Sequence, residues 1–190
     1  MLILASSSPR RRELLEQAGI KINKFISPNI DETRFKSERP LVYVKRMALS
    51  KSKAVKNHAT DYVLSADTIV MRGHKIFGKP DNVATAERYL SLLSGRRHRV
   101  ITSVCLARNY KMVVRTVTTV VTMKRLSSIE LRGYLECGEW QDKAGGYAIQ
   151  GQAAKFIPSI SGSYTNVVGL PLTETLNLLN GTGYMAENEV

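Results

Sequence analysis

Leu2-Ile3-Leu4-Ala5-Ser6-Ser7-Ser8-Pro9-Arg10-Arg11-Arg12 is an apolar run, three hydroxyls, a proline and three arginines in succession. Four apolar residues in a row read as a short buried strand. Ser8-Pro9 then supplies a helix N-cap followed by the residue whose fixed φ suits the first helical position. Leu14, Leu15 and Ala18 give that helix an apolar side, and Gly19 stops it. Strand, tight turn and helix form the unit from which sheets covered by helices are built.

Working outward, residues 23–29 look extended, and residues 40 to about 57 read as a helix with Leu41, Val44, Ala48 and Val55 on one stripe. Lys45, Ser52, Lys53 and Lys56 fall on its other faces. Tyr62-Val63-Leu64-Ser65-Ala66 is a second buried strand that runs directly into Asp67-Thr68. Ile69 to Met71, then Arg72-Gly73, then Ile76-Phe77 predict a hairpin. A helix over residues 83–94 places Val83, Ala86, Leu90 and Leu93 on one face and stops at Gly95. Residues 100–108 and 112–123 are rich in Val and Thr and flank Asn109-Tyr110, the pattern of paired strands. Ser127-Ser128-Ile129-Glu130 has the spacing of a capping box and opens a helix ending near Gly138. Residues 144–151 form a glycine-bearing loop, residues 156–164 predict a hairpin around Ser161-Gly162, and residues 171–179 a last helix. The fold class is therefore α/β, and the hairpins exclude an all-parallel sheet.

The chain has 190 residues, which fits one domain spanning 1–190, or two small lobes sharing a core. Lys and Arg number 28 against 16 Asp and Glu, a formal +12 that favours anionic partners without choosing among them. Cys105 and Cys137 are too few for a disulfide framework, and neither has a metal-ligand partner at zinc spacing. No run approaches the ~18 apolar residues of a membrane span, and residues 1–5 are too short for a secretory apolar segment. The expectation is a soluble, cytoplasmic protein with no membrane partner.

The chemistry concentrates in a few places. Ser6 to Arg12 brings hydroxyls, backbone N–H groups and guanidinium groups to a helix start, where the positive end of the helix dipole already favours an anion. An ordinary capped helix with a solvated basic face fits the same residues. Asp67 stands at the end of an apolar strand, and Asp31 and Glu32 offer further carboxylates from a loop. Asp67 and Glu32 together would supply the hard oxygen ligands that Mg²⁺ needs to bridge protein and phosphate. Residues 73–80 match a P-loop through Lys79, but Pro80 stands where a Ser or Thr hydroxyl must reach Mg²⁺, and the stretch between the glycines reads as a strand. Lys79 remains a point charge for a phosphate. His58, His74 and His98 are scattered and carry no assigned role. Arg96-Arg97-His98-Arg99 is a concentrated basic segment, readable as the charge complement of a helix end or as contact with an acidic ligand.

Leu4-Ala5-Ser6-Ser7-Ser8-Pro9-Arg10-Arg11, Asp31-Glu32, Ser65-Ala66-Asp67-Thr68, Gly78-Lys79-Pro80, Leu93-Ser94-Gly95, the stretch Asp142-Lys143-Ala144-Gly145-Gly146-Tyr147-Ala148-Ile149-Gln150-Gly151 and Val168-Gly169-Leu170-Pro171-Leu172 closely resemble, in order, the Maf family of nucleoside triphosphate pyrophosphatases. The resemblance covers nearly the whole chain. It implies an elongated mixed sheet flanked by helices, two lobes with a central cleft of the Maf and inosine triphosphatase kind, and a homodimer. It also implies hydrolysis between the α and β phosphates, giving a monophosphate and pyrophosphate. Carried over by position, Asp67 is the catalytic base, Ser8, Arg10, Lys53 and Lys79 hold the triphosphate, and Glu32 and Asp67 lie at a divalent metal, Mg²⁺ first and Mn²⁺ as the alternative. Arg11, Thr68 and Gln150 are the substrate-specificity residues and match the branch that acts on dTTP and UTP. The 7-methyl-GTP branch, with a bulky aromatic and a Gln at the first two of these positions, fits poorly. Ala148 stands where Gly is usual.

A uracil or thymine ring offers two carbonyl acceptors and one N–H, an edge that the Gln150 amide can read with its own donor and acceptor. The competing class is a basic nucleic-acid-binding regulatory protein, suggested by the +12 balance and the Arg96–Arg99 segment. Aromatic residues make up only 7% of the chain, so stacking platforms are not evident, and nucleic acid is not expected as the main partner.

Overall fold

The structure, a computed structural model, describes residues 1–56 and 60–184. β1 (Leu2–Ala5) is buried along its whole length because a parallel neighbour lies on each side. β2 (Lys24–Ile26) pairs it with Ala5 opposite Ile26, and β3 (Tyr62–Arg72) with Ala5 opposite Ser65. A strand hydrogen-bonded on both edges and covered on both faces must be apolar throughout, as Leu-Ile-Leu-Ala is. α1 (Pro9–Gln17) starts with Pro9 in its first turn, and Ser8 holds the N-cap position with an extended backbone. The Ser8 hydroxyl makes no capping bond; instead the Ser8 N–H donates to Ser6 Oγ at 3.2 Å.

α2 (Pro40–Lys53) buries Val44, Met47, Ala48 and Ser52, while Leu41, placed by the sequence on the same stripe, is 55% exposed in the first turn. The helix ends at Lys53; the predicted end at Asn57, and His58, lie outside the described residues. β3 returns through β4 (Lys75–Phe77) with Met71 opposite Ile76, so the stretch between Gly73 and Gly78 is strand, as expected. α3 (Val83–Leu93) is capped by Asn82, whose side-chain oxygen accepts the Thr85 N–H at 2.8 Å. Its first-turn Val83 is half exposed, whereas Ala86, Leu90 and Leu93 are fully buried.

β5 (Arg97–Arg108) and β6 (Lys111–Thr122) meet at Asn109-Tyr110, both with positive φ, as a tight two-residue hairpin turn demands. α4 (Ser128–Glu136) carries the expected capping box: Ser127 Oγ accepts the Glu130 N–H, and the Glu130 carboxylate accepts the Ser127 N–H at 2.9 Å. Short 3₁₀ turns follow at Ala144–Gly146 and Gln152–Phe156. The predicted hairpin over residues 156–164 does not form. β7 (Ser159–Ser161) pairs antiparallel with β6, Thr122 opposite Ser159, and α5 (Tyr164–Val168) follows. Three residues gain more from an existing ladder than from a local hairpin with arms that short. α6 (Leu172–Gly181) is the last helix.

The sheet order is β2-β1-β3-β5-β6-β7, with β4 on β3: seven strands, parallel and antiparallel, with flanking helices. Contacts divide the chain into two compact units. The first holds Met1–Asp67, Thr102–Val117 and the described residues from Gly169 onward; Ile3, Ala5, Val55, Val63 and Ala107 form one of its apolar clusters. The second holds Thr68–Ile101 and Thr118–Val168, and its core includes Val70, Phe77, Leu90, Tyr134, Trp140 and Phe156.

Candidate active site

In the first unit, parallel pairing sets Ala5 beside Ser65, so Asp67 lies two residues past the level at which β1 ends and the Ser6–Ser8 turn begins. The carboxyl ends of parallel strands are where α/β sheets present functional groups. Asp67 is 8% exposed, and its Oδ1 accepts from Lys51 Nζ at 2.6 Å. The same ammonium lies 2.8 Å from Glu32 Oε1. Two carboxylates thus converge on one cation. Burial pushes the Asp67 carboxyl above its ordinary range, partly opposed by Lys51 and by the Arg11 charge.

The loop that carries Glu32 is strapped to α2. Tyr43 Oη donates to the Glu32 carbonyl at 2.9 Å, and Arg46 donates to the Thr33 carbonyl and to both oxygens of Glu38. Burial, with Asp67 and Glu32 nearby, pushes the Tyr43 phenol up to about 12, so it stays a neutral donor. Asp31 turns back on its own loop and accepts the Thr33 N–H at 2.8 Å. Of the two adjacent acids, only Glu32 is joined to Lys51 by a salt bridge.

Arg11 is buried. Its Nε donates to the Gly169 carbonyl at 2.9 Å and its Nη1 to Ser6 Oγ at 2.9 Å, which ties the β1–α1 turn to the segment before α6. Desolvation lowers its pKa, and the Asp67 and Glu32 charges oppose that. Arg10 and Ser8, on the same turn, are half-buried. Lys53, assigned to phosphate from the sequence, is exposed at the last turn of α2; the lysine brought to Asp67 and Glu32 is Lys51, which the sequence reading passed over.

In the second unit, Thr68 follows Asp67 and is half-buried. Lys79 is exposed and lies 3.8 Å from Asp142. Gln150 is exposed and lines a cavity of about 470 Å³ together with Ile149, Ile157, Ser159, Ile160 and Tyr164. Its lining mixes aliphatic with polar side chains, and it is largely open to solvent. The loop holding Gln150 is anchored at several points. Tyr147 Oη meets His98 Nε2 at 2.6 Å, and the Ala148 N–H donates to Tyr134 Oη at 3.2 Å. Gly145 sits at φ 75°, where an added Cβ would press on Val70 at 3.0 Å. A side chain at Gly151 would run into the Glu139 carboxylate, which accepts the Gln152 N–H at 2.8 Å. At Gly145 the positive φ together with the close approach of Val70 favours glycine, whereas at Gly151 the Glu139 side chain could swing aside.

The donor set near Asp67 suits a hard divalent cation. Mg²⁺ is usually held by one or two carboxylates, completed by water and substrate phosphate. Asp67 and Glu32, both within 2.8 Å of one Nζ, provide two. Among the described residues no three His, Cys, Asp or Glu side chains form a metal-binding group.

Fold and site together define a mixed α/β protein with an acid–lysine–acid cluster beyond the end of a parallel strand pair. The chain belongs to the Maf family: residues 1–182 match the family described as Maf-like protein. It is 52% identical to the dTTP/UTP pyrophosphatase of Cereibacter sphaeroides over 182 residues, covering 96% of this chain and 95% of that one. It is 51% identical to the dTTP/UTP pyrophosphatase of Ruegeria sp. (96% and 94%) and 49% identical to that of Roseobacter denitrificans (97% and 98%). Among solved structures, the Staphylococcus aureus Ham1 protein aligns with a TM-score of 0.42 at 14% identity, over 64% of this chain and 71% of that one, a likeness too slight to decide anything. No helix among the described residues is long and apolar enough to cross a membrane.

Proposed function

We propose that this chain is a nucleoside triphosphate pyrophosphatase that hydrolyses dTTP and UTP between the α and β phosphates, releasing the monophosphate and pyrophosphate. The observation that carries the reading is the Asp67–Lys51–Glu32 cluster in a chain about half identical, over nearly its whole length, to enzymes of that name. Asp67 orients a water and takes its proton as the oxygen closes on the α-phosphorus. A carboxylate raised by burial is a stronger base than an exposed one, which brings it closer to the operating pH. Lys51 keeps Asp67 and Glu32 together despite their like charge. Phosphoryl transfer asks the protein chiefly for positioning and for cations around the equatorial oxygens. Ser8 and Arg10 on the helix-start turn, and Lys79, fill that role.

A divalent ion held by Glu32 and Asp67 supplies further neutralisation of phosphate charge when bound. Gln150 reads the pyrimidine edge at the rim of its cavity, and Arg11 and Thr68 complete the specificity set. Arg11 acts by tying the Ser6 turn to the Gly169 segment, with one bond to each. Metal dependence and a homodimeric state belong to the same proposal and rest on the family resemblance. Incubation with UTP or dTTP and Mg²⁺ tests the reading: pyrophosphate is the expected product, and orthophosphate in its place contradicts it.

A further inference from the structure

Between Glu87 and Glu130 the chain carries nine Lys and Arg and not one Asp or Glu. Part of this run forms an open sheet face in the second unit. The Ser103 Oγ–Thr116 Oγ1 bond (2.8 Å) puts odd-numbered residues of β5 and even-numbered residues of β6 on one side. The ladder to β7 adds Ser159 opposite Thr122 and Ser161 opposite Val120. The opposite side is packed: His98, Val100, Val121 and Met123 are each at most 2% exposed. On this side Arg97, Arg99, Thr118, Ser159 and Ser161 are exposed, Val120 and Thr122 are half-buried, and Ile101 is buried, so the face is open only beyond Ile101.

Most other arginines of the chain are tied down, as Arg12 is to Glu16, Arg46 to Glu38 and Arg96 to the Leu92 carbonyl. The guanidinium groups of Arg97 and Arg99 have no hydrogen-bond or ion-pair partner among the described residues. They project from one strand face roughly 6.8 Å apart, two residues of strand rise.

We propose that this β5–β6–β7 face, whose Ser159 edge also lines the cavity beside Gln150, binds the phosphodiester backbone of a single nucleic-acid strand. Guanidinium forks grip phosphate oxygens bidentately, and the flanking Ser and Thr hydroxyls donate to the same oxygens. No aromatic or large aliphatic side chain stands among these exposed residues, which removes both base stacking and the apolar anchor that a lipid surface would use. Binding is therefore indifferent to base and strongly dependent on salt.

The test is fluorescence anisotropy of labelled oligo-dT and oligo-dA at about 50 mM salt and above, with Arg97→Gln/Arg99→Gln set against the control pair Arg132→Gln/Lys155→Gln, which removes the same charge elsewhere. The wild type is expected to bind both oligomers equally. Loss of the two face arginines should flatten the log K against log salt slope by about 1.4, at about 0.7 per phosphate contact, while the control pair changes it little. Circular dichroism checks folding; should the double variant unfold, Arg99→Gln alone should remove about half of that slope change. Three results would overturn the proposal: no oligonucleotide binding by the wild type, equal weakening by the control pair, or retention by phosphatidylserine vesicles with no binding to oligonucleotide.

Discussion

Asp67 in the first unit and His98 in the second are both almost wholly buried and both titratable, yet their surroundings send them to opposite ends. Asp67 faces an ammonium at 2.6 Å and feels a buried guanidinium, so its anion is partly compensated where burial alone would favour the neutral acid. His98 faces the neutral Tyr147 phenol, and its Nδ1 has no partner among the described residues, so burial pushes its pKa down to about 4 and it stays uncharged. A charge kept inside a protein at the cost of an ion pair marks chemistry; a titratable group held neutral under a loop marks structure. The first positions a base, and the second holds the loop that carries Gln150.

That contrast can be broken by substitution. Asp67→Asn keeps the shape and removes the base, so kcat with UTP should fall by roughly 10²–10⁴, with far-UV circular dichroism unchanged. Unaltered turnover would take Asp67 out of the mechanism. Lys51→Met leaves a buried carboxylate unpaired and should cost about 3 kcal/mol in urea unfolding as well as most of the activity. Lys53→Met, at an exposed position, should stay within about 0.5 kcal/mol. Equal effects of the two lysine variants would remove the cluster from the account.

For His98 the sign follows from linkage. The folded state takes up its proton only near pH 4, and the unfolded chain already near 6.5, so the stabilisation is complete above about 6.5 and is lost as pH falls toward 4. About 2.5 pKa units correspond to roughly 3 kcal/mol. Unfolding at pH 7.5 and 4.5, compared between wild type and His98→Gln, isolates it, and a variant with the wild-type pH dependence would show that His98 is charged or exposed. The smallest effect belongs to Lys79. Its exposed pairing with Asp142 is worth about 0–1 kcal/mol, so Lys79→Ala should leave stability nearly unchanged while raising KM for UTP several-fold. Unchanged KM would leave Lys79 without a role at the phosphates.

Much of the frame was legible from local chemistry. The apolar run before Ser6, the proline after Ser8, the β3–β4 reversal and the capping box at Ser127 each depend on neighbours in sequence, and each has its element in the structure. Asp67 was legible as the acid that follows the apolar stretch 62–66, but not its place in the strand: β3 runs unbroken from Tyr62 to Arg72 and Asp67 lies within it, past the end of its pairing with β1. Lys51 was not singled out among the several lysines of its segment, although the signal was present. It stands seven residues, two helical turns, beyond Val44 and so lies in line with the buried stripe, whereas Lys53 is nine residues on and half a turn away. A lysine in an apolar stripe needs a buried partner. The β7 pairing was out of reach for another reason: three residues choose their partner by what the sheet leaves open, and that depends on segments distant in sequence.

Hydrolysis of UTP in ¹⁸O-enriched water tests the central claim most directly, because the label records which phosphorus the Asp67-directed oxygen attacked. The account predicts ¹⁸O in the uridine monophosphate and unlabelled pyrophosphate, with both products lost in Asp67→Asn. Label in the pyrophosphate, or in released orthophosphate, would contradict it.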